Sequence, residues 1–379
     1  MLIKFFVVCS FFCIYNAWAA PKIVEIGIAS NFSEISSSSS NPYGNYFRQG
    51  IQLALQDYKA KLTKKNLDIN IVEFDYGTSQ MKVVDVAEKA CKSNVSLVLG
   101  YVYSSDALLA APIHQRCRLP LFTPSATANR LAEFSSYIHL GAFNNQFQGK
   151  VLAQVAKRKL KAKKALIIYA EDCAYCTDLA SAFEAEFKSQ SEAVINKIAI
   201  LSTETDFASV AEKAQALQTE VVLVPNHELF SAKIISALVS KGITKPFLGG
   251  DGWGNHGEQF TKMLNGRSIE GYSVSHWFPT IPNSKSKKFI LKYQKQFGKM
   301  PNDTAVLSYD SMSIVLEALL KEKTISRQSL EYALANLKNF NGVTGNFDFS
   351  TGVSPKKDIV LLKAGPSEYK YIKTVEAEK

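Results

Sequence analysis

The amino-acid sequence predicts an α/β protein built from two doubly wound parallel-sheet lobes joined by several hinge crossings. Three observations lead there. The chain has 379 residues, more than a single hydrophobic core usually serves, so two lobes are the default. Short β-branched runs alternate with helix-period stretches along nearly its whole length, the pattern of parallel strands covered by helices on both faces. No Pro/Gly-rich linker separates one half from the other, so the lobes are expected to exchange chain by several short crossings and not by one tether.

Strands are expected at 22–29, 67–74, 95–100, 119–123, 164–169, 194–200, 220–225, 246–249 and 271–277. Between them, Phe47, Ile51, Leu55, Tyr58 and Leu62 recur at helical spacing, as do Leu179, Phe183 and Phe187, and later Ile290, Tyr293 and Phe297. A serine run at 36–40 interrupts the first strand–helix connection and reads as an extended loop at a rim.

At the N-terminus Lys4 precedes an apolar stretch, 5–15, that ends in Ala17-Trp18-Ala19. A positive start, an apolar run too short to span a bilayer and a small-x-small site describe a cleaved secretory signal over residues 1–19; the competing reading is a buried first element. Neither Cys9 nor Cys13 follows the small residues of a lipoprotein signal, so the expected product is a periplasmic chain without a lipid anchor, starting near Ala20. Cys91, Cys117, Cys173 and Cys176 then remain, and an oxidising compartment favours disulfides. Cys91–Cys117 with Cys173–Cys176 is the simplest pairing, but four cysteines allow three. Cys173-x-x-Cys176 has a redox or metal reading too; no nearby Cys or His pair completes a metal site.

Overall composition is that of an ordinary globular protein, 46% hydrophobic and 21% charged. The net charge of +10 comes from scattered lysines, which read as solvated helix faces and not as a nucleic-acid surface. No nucleic acid, cofactor or metal is expected. G-x-S-x-G, H-E-x-x-H and P-loop patterns are missing and the five histidines are dispersed, which argues against an enzyme.

Ligands of open α/β sheets bind beyond the carboxyl ends of the strands, where helix N-termini offer free N–H groups. Two successive strand ends here lead to Ser104-Ser105-Asp106 and to Pro124-Ser125-Ala126-Thr127. These hydroxyls could cap the helices that follow, or together cradle a carboxylate. A later strand ends in Gly250-Asp251-Gly252-Trp253-Gly254. Asp251 there is either a turn residue or a carboxylate aimed at an ammonium group. A dinucleotide loop is excluded, because Asn255 stands where the third glycine belongs.

The segment 247–255, Phe-Leu-Gly-Gly-Asp-Gly-Trp-Gly-Asn, resembles the acidic strand end of the branched-chain amino-acid (Leu/Ile/Val) binding proteins, type I periplasmic solute-binding proteins of ABC importers. Residues 100–105 and 124–127 are similar to that family's two carboxylate-binding segments. Asp172-Cys173-Ala174-Tyr175 resembles its D-x-x-Y segment and Pro42-Tyr43-Gly44 with Gly50 and Asp57 its first helix start, and Tyr309-Asp310 near the C-terminus also fits. The resemblance implies lobes of 20–142 with 275–340 and of 143–274 with 341–379. It implies that Ser104, Ser105, Ser125, Ala126 and Thr127 hold the ligand carboxylate. Asp251 and Tyr175 would hold its ammonium group, Tyr43 would pack on its side chain and His227 would shape the opposite wall. The chain departs from the family where serines replace the S/T-G-P segment before Tyr43, and where Cys176 replaces the glycine after Tyr175. An amino-acid binder of this kind is expected to be monomeric and to dock on membrane permease subunits. A sensory ligand-binding subunit and an exported enzyme are the alternatives.

Overall fold

The structure, a computed structural model, describes residues 20–33, 43–77, 79–134, 136–254, 258–350, 352–364 and 369–377. The apolar leader at 1–19 and the serine run at 36–40 lie outside the described residues.

The first sheet contains β1 (Lys22–Ser30), β2 (Leu67–Asp75), β3 (Val98–Gly100), β4 (Leu121–Thr123) and β5 (Ile138–Leu140), in the order β2-β1-β3-β4-β5. All its pairs are parallel, and β1 runs in unbroken register with β2 from Lys22↔Leu67 to Ser30↔Asp75. Parallel strands need helical crossovers, here α1 (Tyr43–Lys64), α2 (Gln80–Lys92) and α3 (Ser104–Arg116). The apolar stripe of α1, with Phe47, Ile51, Ala54 and Leu62, is buried together with Met312, Val315 and Leu319 from α10 (Asp303–Lys321) and Leu330 from α11 (Arg327–Ala335).

The second sheet runs β14-β13-β10-β9-β8-β6-β7. Its strands β6 (Lys164–Ala170), β7 (Val194–Ile200), β8 (Val221–Leu223), β9 (Phe247–Gly249) and β10 (Gly271–Ser275) are parallel. Beside β10, β13 (Ile359–Ala364) and β14 (Tyr369–Val375) add an antiparallel edge. Along β6, Leu166 and Ile168 join one apolar cluster and Ile167 the other, so strand neighbours face opposite helical layers. Those layers are drawn from α4 (Asn145–Gln154), α5 (Ala174–Phe187), α6 (Phe207–Gln215), α7 (Glu228–Ser240) and α8 (Glu258–Leu264), while α9 (Ser284–Phe297) packs on α1 and α10 through the Tyr293–Tyr46 and Phe289–Tyr309 ring contacts. A small hairpin, β11 (Phe340–Asn341) with β12 (Asn346–Phe347), precedes β13.

Every expected strand is present: β1, β2 and β6 run one residue longer than expected, β7 is as expected, and the others are shortened at their ends. The unexpected ones are β5, the hairpin and the antiparallel pair β13–β14. The apolar run of β13 carries no period that separates strand from helix, and Lys370 and Lys373 break up the pattern of β14.

The chain passes between the two sheets after β5, after β10 and after α11. The third passage is anchored from α10. Asp310, 1% exposed, accepts the N–H groups of Val343 and Thr344 at 2.8 Å each and the Thr344 hydroxyl at 2.7 Å. Lys357, equally buried, donates to that same hydroxyl oxygen at 2.8 Å. Burial lowers the Lys357 ammonium to about 8, against the opposing pull of Asp310 and Asp303. Of the three possible pairings the cysteines adopt Cys91–Cys117, which ties α2 to the end of α3, and Cys173–Cys176, which spans the start of α5.

Candidate functional site

On the first sheet the site begins where β3 meets β1. A Cβ on Gly100 would collide with the Ala29 carbonyl, so only glycine lets these strands close up there. The chain then turns through Tyr101, at φ +54°, and reaches α3. The serines expected to cap that helix do something else. Ser104 accepts the N–H groups of Thr127 and Ala128 at 3.2 Å each, and Ser125 donates to the Val102 carbonyl at 2.8 Å. Thr123 donates to the Tyr101 carbonyl at 3.0 Å and accepts the Ala126 N–H at 3.4 Å. The two strand-end loops are thus stitched into one surface, while the α3 N-terminus has no side-chain cap. Ser105 stands half-buried in the first turn of α3, and Thr127 is buried.

The second sheet supplies Asp251 directly after β9. Its flanking glycines are explained by Tyr175: a Cβ on Gly250 or on Gly252 would run into the tyrosine ring or hydroxyl. Tyr175 accepts the Gly252 N–H at 2.9 Å, and the Trp253 indole donates to the Val224 carbonyl at 2.9 Å, so the turn is held on both sides. One Asp251 oxygen, Oδ2, lies 2.9 Å from His276 Nε2. The other, Oδ1, is buried without a partner among the described residues. His276 stacks on Phe143 with ring centroids 3.9 Å apart. Burial lowers its imidazole below the usual value, with Asp251 opposing, so the ring is neutral at pH 7 and carries its proton on Nε2.

Nearby, Asp303 at the start of α10 accepts from Ser275 at 3.2 Å. Burial raises its carboxyl to about 8, Asp251 and Glu228 adding to the rise and Ser275 and Lys357 opposing it. His227, ahead of α7, is exposed in the cleft; its ring stacks on Tyr175 and meets Tyr103 of the first lobe edge-on, at centroid distances of 5.3 Å. Tyr43 opens α1, but its side chain lies outside the described residues. A groove of about 770 Å3 between α1 and β2 contains none of these residues; it lies off the sheet's strand C-termini, where ligands of such folds bind.

The sequence model of periplasmic binding proteins matches residues 24–364. The chain is a periplasmic binding protein. The Leu/Ile/Val-binding protein of Escherichia coli is 24% identical over 257 residues, 67% of this chain and 69% of that one. The fold of this binding protein superposes on the branched-chain amino acid transporter substrate-binding protein LivJ of Streptococcus pneumoniae, solved with isoleucine. There the TM-score is 0.82 and the identity 26%, covering 94% of this chain and all of the other. The leucine-binding protein LivK of Thermotoga maritima matches at TM-score 0.84 and 21% identity, covering 93% and 99%. These relatives are solute-binding proteins.

Four polar residues of this binding protein escaped the sequence reading. Asn145 and Gln148, both fully buried, link the two halves of the site. Asn145 N–H donates to the Thr127 carbonyl at 2.8 Å and Gln148 Nε2 to Asn145 Oδ1 at 3.0 Å. Asp251 N–H in turn donates to Gln148 Oε1 at 3.0 Å. Asp178 on α5 accepts from the Asn129 backbone at 2.6 Å and from its amide at 3.1 Å, across from the second sheet's helices to the first sheet's loop. The available signal was the spacing Asn145-x-x-Gln148 behind the N-cap Asn144, amides one turn apart on a face that would otherwise be apolar. Asp303 was hidden as an ordinary first-turn acid.

Proposed function

We propose that the chain is the extracytoplasmic substrate-binding component of an ABC importer, and that it closes around a zwitterionic amino acid. One observation carries the reading: Asp251 keeps a buried, unbonded carboxylate oxygen at the second-lobe side of the cleft. A buried acceptor without a donor is costly, and an ammonium group supplies the missing N–H with charge assistance. Opposite, the uncapped N-terminus of α3 with the Ser105 and Thr127 hydroxyls offers donors to a carboxylate, Ser104, Ser125 and Ala126 holding the loops in shape. Tyr175 and His227 bound the space between, and Tyr43 would close it from α1. The isoleucine complex of the streptococcal protein supports an amino acid as ligand.

The lobes are 20–142 with 275–340 and 143–274 with 341–379, and they move about the three passages. A ligand that touches both lobes binds the closed form better and shifts the population toward it; moving from 1:99 to 99:1 takes about 5.5 kcal/mol. Membrane permease subunits read the closed shape. Residues 1–19 direct the chain to the periplasm and are removed. The test is calorimetry on Asp251→Ala. Amino-acid binding is expected to weaken by roughly 2–5 kcal/mol, the loss for a buried charge deprived of its partner; unchanged affinity overturns the assignment.

A further inference from the structure

The apolar side chains closest to Asp251 are turned away from the ligand space. Trp253 is 0% exposed, with its indole N–H fixed on Val224 and Phe260 behind it at 4.9 Å. Phe143, 2% exposed, lies against the His276 ring. A branched aliphatic side chain would find no apolar surface from these residues.

What faces the space instead is polar and set in place. The His227 ring is clamped between Tyr175 and Tyr103. Its loop is pinned by Asn226, whose amide accepts the Ala170 N–H at 2.8 Å and donates to the Ile168 carbonyl at 2.9 Å. Ser231 ties down the Asn226 carbonyl at 3.0 Å. Among the described residues the His227 ring nitrogens make no hydrogen bond, and solvent reaches the ring. The crowding of both lobes still disfavours its charged form, with Asp251 opposing, so one nitrogen is an acceptor at neutral pH. The neutral His227 ring therefore offers the ligand's side chain one acceptor nitrogen and one N–H donor, the complement of an amide.

We infer that this wall selects an amino acid whose side chain ends in N–H donors, an amide or a cationic amino or guanidino group, over the branched aliphatic ones, and that His227 sets the preference. The inference rests on the amino-acid reading above and names the ligand class within it. An aliphatic chain here strips water from the His227 ring nitrogens without returning a hydrogen bond. A site built around polar partners rejects the apolar analogue far more strongly than an apolar pocket rejects a polar one.

The experiment is calorimetry on the purified chain with glutamine, asparagine, arginine, lysine, leucine, isoleucine and valine. At least one donor-bearing amino acid is expected to bind about tenfold or more tighter than leucine, isoleucine and valine, and the amide and cation arms identify which donor is read. In His227→Phe that ratio is expected to collapse, and in His227→Gln, which keeps a polar group, to survive in part. Leucine, isoleucine or valine binding as tightly as the best polar ligand overturns the inference while leaving the amino-acid function intact. A ratio unchanged in His227→Phe removes His227 from the role. Failure of every amino acid to bind at millimolar concentration overturns the proposed function itself.

Discussion

Asp251 and His276 form a pair in which each keeps one atom, Oδ1 and Nδ1, buried and unbonded among the described residues. Such groups stay costly until something fills them, which is why the site reads as waiting for a donor. A different histidine gives the residue scale its pH dependence. His114 is 0% exposed, and its Nδ1 donates to the Leu119 carbonyl at 3.1 Å. Burial, with a smaller push from Arg327 and against the Leu119 hydrogen bond, lowers its imidazole to about 4. Between about 4 and the ordinary value near 6.5 the unfolded chain binds the proton and the folded chain does not. Stability from this group is therefore complete above 6.5 and is lost as the pH falls through that window, by roughly 3 kcal/mol in all. Urea titrations from pH 7 to 4.5 should show the fall, reduced in His114→Gln; stability that rises on acidification contradicts it. Hydroxyls and an acid at strand ends are visible in a sequence because the fold dictates where ligands sit. Asn145 and Gln148 are not, since their partners, Thr127 and Asp251, lie far along the chain and meet only through packing.

Elements carry the next level of control. Cys173 bridges to Cys176 while its sulfur accepts the Cys176 N–H at 3.2 Å, so the disulfide also caps α5 and orients Tyr175 between its two ends. At the third passage, α10 grips the returning chain through Asp310, and a Cβ on Gly342 would run into that carboxylate. Removing the carboxylate leaves the buried Val343 and Thr344 N–H groups without their acceptor. Asp310→Ala should therefore cost roughly 1–3 kcal/mol for each buried donor left unpaired, read as a lowered urea midpoint. A shift no larger than that of an exposed aspartate would show that the anchor is dispensable. The strands that escaped notice are those with the weakest periodic signal: β5, three residues long, and β14, whose lysines blur any alternation.

At the scale of the molecule, the two sheets were legible because β-branched runs and amphipathic helices alternate so regularly. The swapping of α10 and α11 to the first sheet was not, because it depends on the apolar stripe of α1 finding Met312, Val315 and Leu319 some 250 residues away. Closure is a property of this level alone. The Tyr103–His227 and Asn129–Asp178 contacts both join the first sheet's loops to the second sheet's helices, so the hinge motion proposed above would have to part them when the cleft opens. Solution scattering should show the radius of gyration falling when ligand is added to the unliganded chain; identical curves with and without ligand would contradict hinge closure.

The antiparallel pair β13–β14 sets a schedule. Until residues 359–375 are available, β10 stands as a bare edge and the second sheet lacks two of its strands. Long-range pairing of this kind is slow to form, so the second lobe can be completed only after nearly all of the polypeptide has been synthesised. For a chain exported as proposed above, late completion would be protective: it would keep the emerging chain loose until translocation has claimed it. A chain ending before residue 359 should accordingly show no cooperative unfolding of the second lobe by circular dichroism, and a sharp, full-amplitude transition in such a truncation would refute the delay.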